Sequence, residues 1–294
     1  MTASRSIILA ILIFSVPTLG GCAKTVEPAH FIQFGEGVAS VEKQSQTALL
    51  ESNKLARDVS IERFIRSGSV GLAENSFIVA VDPKDILAWQ SAFDAIEKYA
   101  TLIASLSDPN RRRDVGDATT KLSTQLSGVG VDISPEVSTG FASLAGFLVQ
   151  QKAQKTAIEI IRTTDPAIQA ILTGMAAAIG SDDRTGLRGT SYSNWTASLQ
   201  NVRGDYAAAA QAKTEAKQRS LIAEYLATLD RRDAQLRALA NLRSSLLTLA
   251  QTHAAEAAQA PQNASRLLDT IERQAEETER LFNAAKAAQE EGTK

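Results

Sequence analysis

Apolar residues along this chain recur at intervals of three and four. Ile86, Trp89, Phe93, Ile96, Ala100 and Ile103 step by 3, 4, 3, 4 and 3. Trp195, Leu199, Val202, Tyr206 and Ala209 repeat the rhythm, as do Leu239, Leu242, Leu246 and Leu249, and later Ile271, Ala275, Thr278, Phe282 and Ala285. Such spacing lines one face of an α-helix and predicts helix-on-helix packing of coiled-coil type. Strand-like alternation is nearly absent, and the run "FIVAV" at 77–81 reads as a buried connector or short helix. The expected fold class is all-α, an elongated bundle of long antiparallel helices with coiled-coil-like packing.

Prolines punctuate the pattern. Asp82-Pro83, Asp108-Pro109, Ser134-Pro135 and Asp165-Pro166 each place a capping residue before a proline, and proline at the first helical position lacks an N–H that would have no partner there anyway. The spacing and punctuation together predict helices over 34–67, 83–107, 110–127, 135–163, 166–179, 191–258 and 262–290. No glycine lies between Gly204 and Gly292, so 191–258 is expected to be one continuous or kinked helix of about 100 Å. Ile222, Leu226, Leu229 and Leu236 carry its stripe through the middle, with Asp233 the one polar step. The bundle is assigned to 34–290, with a possible division near 180–190. No 30–45-residue repeat is present, which argues against a helical solenoid.

Composition sharpens this picture. Alanine is abundant, at 48 of 294 residues, and aromatics make up 5%, which suits closely packed helices. The net charge is −2 and the basic residues are dispersed, whereas a nucleic-acid binder concentrates positive charge; no nucleic-acid partner is expected.

The N-terminus breaks the helical rhythm. Arg5 gives a positive start, residues 7–16 ("IILAILIFSV") are apolar apart from Ser15, and Pro17 and the small residues Gly20 and Gly21 lead to Cys22, the sole cysteine. A ten-residue apolar run is about 15 Å of helix, half a bilayer core, so it reads as a secretory signal over 1–21. With Cys22 directly after Leu19-Gly20-Gly21, the segment resembles the lipobox signal of bacterial lipoproteins. That resemblance implies cleavage between Gly21 and Cys22, acylation of the Cys22 thiol, and membrane lipid as a partner; two or three acyl chains anchor stably where one does not. Ala23 and Lys24, in place of an Asp after the cysteine, imply the outer membrane, facing the periplasm. Residues 22–33 are then a lipidated tether.

Candidate chemistry is sparse. His30 and His253 are the only histidines; His253 falls on the Leu239–Leu249 stripe and reads as a packed helix residue. There is no His/Cys set for a metal, no nucleophile elbow and no phosphate-cradling loop, so no catalytic residues, metal or cofactor are expected. The most unusual segment is 180–194, "GSDDRTGLRGTSYSN". There Asp182, Asp183, Arg184, Arg188 and Tyr192 form a possible binding loop, against the plainer reading of a solvated turn. Arg111-Arg112-Arg113 reads as a solvated face or a contact for anionic headgroups. The uncharged stretches 137–151 and 166–181 carry Gly140, Gly146 and Gly174, which let helices approach closely; both are short of the ~20 residues of a membrane span.

The functional expectation is a lipid-anchored periplasmic scaffold or binding protein, non-enzymatic, with an envelope protein or its own copies as partner. The alternatives are a membrane-acting hairpin made of 137–151 and 166–181, and an enzyme or ligand site on loop 180–194.

Overall fold

The computed structural model describes residues 27–73, 76–107, 134–150 and 156–291. Among these the chain is all-α, with seven helices and no strand: α1 Pro28–Arg66, α2 Pro83–Ser107, α3 Pro135–Gln150, α4 Ala157–Ile179, α5 Gly186–Gln211, α6 Glu215–Ala257 and α7 Pro261–Glu291. The signal, Cys22 and the expected helix 110–127 with Arg111-Arg112-Arg113 lie outside the described residues.

Side-chain pairings give the course of the chain. On α1 and α6, His30 meets Glu256 and Ser52 meets Gln235, so the two longest helices run antiparallel. Their 39 and 43 residues correspond to about 58 and 65 Å. As α4 and α5 advance through Arg162, Asp165, Trp195 and Arg203, their α6 partners retreat through Ala257, His253, Gln235 and Tyr225. The two shorter helices therefore stand end to end and share the length of α6. α2 returns along the first half of α1, α3 covers α4, and α7 rises parallel to α1, with Ser265 near His30 and Glu279 near Lys43.

The core follows this course. The half of the bundle containing the start of α1 is filled by one large apolar cluster that includes Phe31, Phe34, Phe93, Ile168, Leu242 and Ile271. The other half, built from α1, α5 and α6, holds two small clusters, Leu55–Val59–Trp195 and Val202–Ala209–Leu221. There the seam is partly polar: the Trp195 indole N–H donates to Gln235, whose amide donates to Ser52, which in turn meets Ser191.

Several expectations are corrected. α1 begins at Pro28, so 28–33 are helix instead of tether, with Phe31 fully buried. The expected continuous helix 191–258 starts earlier, at Gly186, and breaks at Ala212–Thr214. The N–H of Thr214 returns to the carbonyl of Ala209 and that of Lys213 to Ala210, with Lys213 at φ 55°. Gln259 closes α6 in the same way, at φ 57°. Glycine usually takes this left-handed position because it has no Cβ to clash, so a lysine and a glutamine there conceal two helix ends. In the first half of α6 the buried line is Leu221, Thr228 and Gln235, while Ile222 and Leu226 are exposed; polar residues face the Trp195 seam, which an apolar stripe cannot reveal.

Asp165-Pro166 starts no helix. α4 opens at Thr156, whose N–H is taken by Glu159, and runs through the proline because buried Ile161, Ile168 and Ile171 hold it on both sides. The expected helix 135–163 is thus divided, with α3 ending at Gln150. Residues 77–81 form a non-helical connector, clamped where the Asn53 amide donates to the Val81 carbonyl at 2.8 Å and accepts its N–H at 2.7 Å.

The two uncharged stretches pack against each other and into the large core, and no described helix is long and apolar enough to cross a membrane. A Cβ at Gly140 would stand 2.7 Å from Ile171 and 3.1 Å from the Ala167 carbonyl; one at Gly174 would stand 2.7 Å from Val137. Gly146 faces open space. Gly140→Ala should therefore destabilise the protein by about 1–3 kcal/mol through overpacking, whereas Gly146→Ala should stabilise it by about 0.5–1 kcal/mol through helix propensity. Urea unfolding of the two variants checks both signs.

Candidate functional site

Two glycines shape the turn between α4 and α5. Gly180 at φ +94° and Gly186 at φ +58° bring the chain back on itself so closely that a Cβ on either would meet backbone within 2.4 Å. Residues 186–194 are the first turns of α5, so the expected binding loop shrinks to 180–185. Its carboxylates are spent locally. Asp182 accepts from the Arg184 N–H at 2.9 Å and from the Ser181 and Thr185 hydroxyls, and these bonds, the backbone one foremost, hold it below the usual carboxylate range. Asp183 accepts from the half-buried Arg188 guanidinium at 2.9 Å. Each carboxylate thus has its own partners, Asp182 within the turn and Asp183 on α5. Tyr192 is partly exposed on α5, and Ser191 beside it is buried against Ser52.

Arg184 alone of the five expected residues lines the cleft that the turn helps to form, a cavity of about 700 Å³ between α1, the start of α2 and the α4–α5 joint. Its apolar floor includes Leu49, Trp89 and Leu187, and Asp85, Ser193 and Asn194 also line it. A hydrophobic floor with a few polar groups is the ordinary form of a small-ligand site.

A second polar cluster lies deep in the bundle. The His253 Nδ1–H donates to Asp165 at 2.8 Å, and the Tyr99 hydroxyl meets Nε2 at 2.9 Å and Thr164 Oγ1 at 2.6 Å. Phe31 and Phe34 of α1 pack on the imidazole with ring centroids 6.3 and 6.0 Å away. Burial would raise the Asp165 carboxyl, but the His253 hydrogen bond and charge, with help from Gln169, outweigh it and hold the group below its usual value. Burial pushes the Tyr99 phenol well above its ordinary value. The order carboxylate–imidazole–hydroxyl is that of a nucleophilic triad. Tyr99 and His253 are both 0% exposed, however, so no substrate reaches the hydroxyl and the cluster ties α2, α4 and α6 together.

His30 extends this connection to α1. Its Nδ1 lies 2.8 Å from Glu256, three residues beyond His253 on α6, and its Nε2 lies 3.3 Å from Ser265 of α7. Burial raises the Glu256 carboxyl, against the lowering effect of His30. The sequence placed His253 on a core stripe and His30 near the expected acylation site, but their partners, 88 to 235 residues away, carried no local signal. Folding also gathers Glu42, Asp94 and Glu97 within 4.8 Å of one another, where burial and the neighbouring Asp94 carboxylate raise Glu42. No protein-family profile, curated protein or solved structure matches the chain.

Two outcomes follow from the buried cluster. Tyr99→Phe keeps the ring and leaves His253 and Thr164 without the hydroxyl, which should cost about 1–3 kcal/mol in urea unfolding. Because Asp165 is depressed in the folded state, its stabilising contribution is complete above the ordinary Asp value of about 4 and is lost as pH falls below that, towards the folded value. Asp165→Asn should therefore lower stability at neutral pH and converge on the wild type in acid, as read by thermal unfolding across a pH series.

Proposed function

We propose that the chain is a lipid-anchored, non-enzymatic helical binding protein of the bacterial envelope. Acyl groups on Cys22 hold it on the outer membrane, and the elongated antiparallel bundle faces the periplasm. The observation that carries this reading is the Leu19-Gly20-Gly21-Cys22 quartet behind a short apolar run, with the sole cysteine at the acylation position. α1 starts at Pro28, six residues on, a length of chain that reaches at most about 20 Å when extended. On this reading the end of the bundle holding His30, Glu256 and Ser265 lies beside the membrane and the ends of α1 and α5 point away from it.

The far end offers apolar surface. Val202, Leu221 and Tyr225 line a notch of about 340 Å³, flanked by Ile222 at 48% and Leu226 at 55% exposure. Contiguous exposed apolar side chains on a helical surface are suited to a protein partner or a second copy.

The test is acylation. Wild-type protein expressed with a labelled fatty acid should carry the label and fractionate with membranes, and Cys22→Ser should lose the label and leave the membrane fraction. An unlabelled wild-type product would overturn the anchor.

A further inference from the structure

α7 separates its charges into stripes. Asp269, Glu272, Glu276 and Glu279 step by 3, 4 and 3 and line a groove of about 680 Å³ between α7 and α1. Arg266, Arg273 and Arg280, seven residues apart, are bonded instead to partners on their own helix: Asn263, Thr270 and Glu277. Glu36 adds a carboxylate from α1. The groove's one lining cation, Lys43, already bridges Glu279 at 3.4 Å. Among the described residues no cation pairs with Glu36, Asp269, Glu272 or Glu276.

The α1 wall of the groove also holds an unmet polar group. Gln44 of α1 lines the groove, is 6% exposed, and has no hydrogen-bond partner for either its Oε1 or its Nε2. A buried carboxamide with donor and acceptor both unpaired is costly and calls for a ligand presenting one of each. Nine residues along the same helix, Asn53 shows what satisfies such a group: it takes both the N–H and the carbonyl of Val81 in an extended segment. A protonated oligoamine offers donors only and would leave Nε2 unpaired.

Backbone chemistry makes the same selection. A helical partner has its backbone groups already bonded within it and has none free for Gln44, whereas an extended segment does. The groove runs from Gln33 to Thr47 along α1, about 21 Å, which about six extended residues fill. Gly37, Ile271 and Phe282 provide apolar floor between the carboxylates.

We infer that the α1–α7 groove binds an extended, basic peptide segment of a partner protein, with Gln44 pairing its backbone and the carboxylates of Glu36, Asp269, Glu272 and Glu276 receiving its Lys or Arg side chains. This deepens the binding-protein reading above by naming the site and the chemistry of the partner.

The full-length chain, purified in detergent, is titrated into a fluorescent Lys-Ala-Lys-Ala-Lys-Ala peptide and followed by anisotropy. Binding is expected, weakening about tenfold or more between low salt and 0.5 M salt as exposed charges are screened. A Glu-Ala peptide of equal length should not bind. Gln44→Leu should weaken binding by about tenfold or more with the melting temperature unchanged or raised, because the unpaired amide is gone. Glu272→Lys with Glu276→Lys, at exposed positions, should abolish binding even if Gln44→Leu fails to fold. No binding of the Lys-Ala peptide, or equal binding to the charge-reversed protein, overturns the proposal. Spermine that binds as tightly as the peptide and is indifferent to Gln44→Leu also overturns it, in favour of a free oligoamine site. The assay does not depend on acylation, so Cys22→Ser should bind the peptide normally, and failure of the anchor is separable from failure of the groove.

Discussion

An imidazole sealed from water has to find both hydrogen-bond partners inside the protein, and His253 finds them on two different helices. Asp165 on α4 takes one ring nitrogen and Tyr99 on α2 the other. Each partner is itself committed, since Asp165 is also held by Gln169 and Tyr99 also meets Thr164. A polar set of this kind tolerates little sliding, because a shift of one helical turn would strand a buried donor or acceptor at a cost that an apolar seam does not impose. The alanine- and leucine-rich surfaces around it would accept several registers; the polar cluster selects one. Glu256, one turn further along α6, then pairs with His30 and sets α1 against the same frame.

The bundle's two halves differ because of this arrangement. Where α2, α3, α4 and α7 surround α1 and α6, a large apolar cluster encloses the polar one. Beyond the α4–α5 joint, among the described residues, α5 packs with α1 and α6, and Ile222 and Leu226 remain in solvent. The seam there relies on Trp195, Gln235, Ser52 and Ser191 for alignment. Anchorage at Cys22 would set the well-packed half at the membrane and present the thinner half outward.

Helical class was legible because the 3–4 rhythm is a direct imprint of helix geometry, and the stripes at 89–103 and 239–249 are buried in the structure. Helix ends were less so. Lys213 and Gln259 close helices in left-handed geometry that glycine would have announced, and Pro166 sits inside a helix because flanking isoleucines hold it there. The buried line Leu221–Thr228–Gln235 was invisible to a search for apolar spacing, since two of its three residues are polar and Gln235 is buried by its hydrogen bonds to Trp195 and Ser52. At the loop, residue types suggested a site, but local hydrogen bonds consume Asp182 and Asp183 and leave only Arg184 on the cleft. The acidic 3–4–3 stripe of α7 was readable in principle. What gives it meaning is the unpaired Gln44 across the groove, 225 to 235 residues earlier in the chain, and no local pattern connects the two.

The contrast between Asn53 and Gln44 joins these threads. Both are carboxamides on α1, both are buried, and both face the boundary between α1 and a neighbouring element. Asn53 is satisfied because the connector before α2 brings an extended backbone to it, and the connector in turn owes its position to that pair of bonds. Gln44 faces α7, a helix whose backbone polar groups are already used within the helix and which presents carboxylates in place of complementary amides. A leucine at position 44 would suit an apolar α1–α7 contact better, so a glutamine there is explained by a segment arriving from outside with free backbone groups. The neighbouring carboxylates, left without cations, are what would draw such a segment in and hold its side chains.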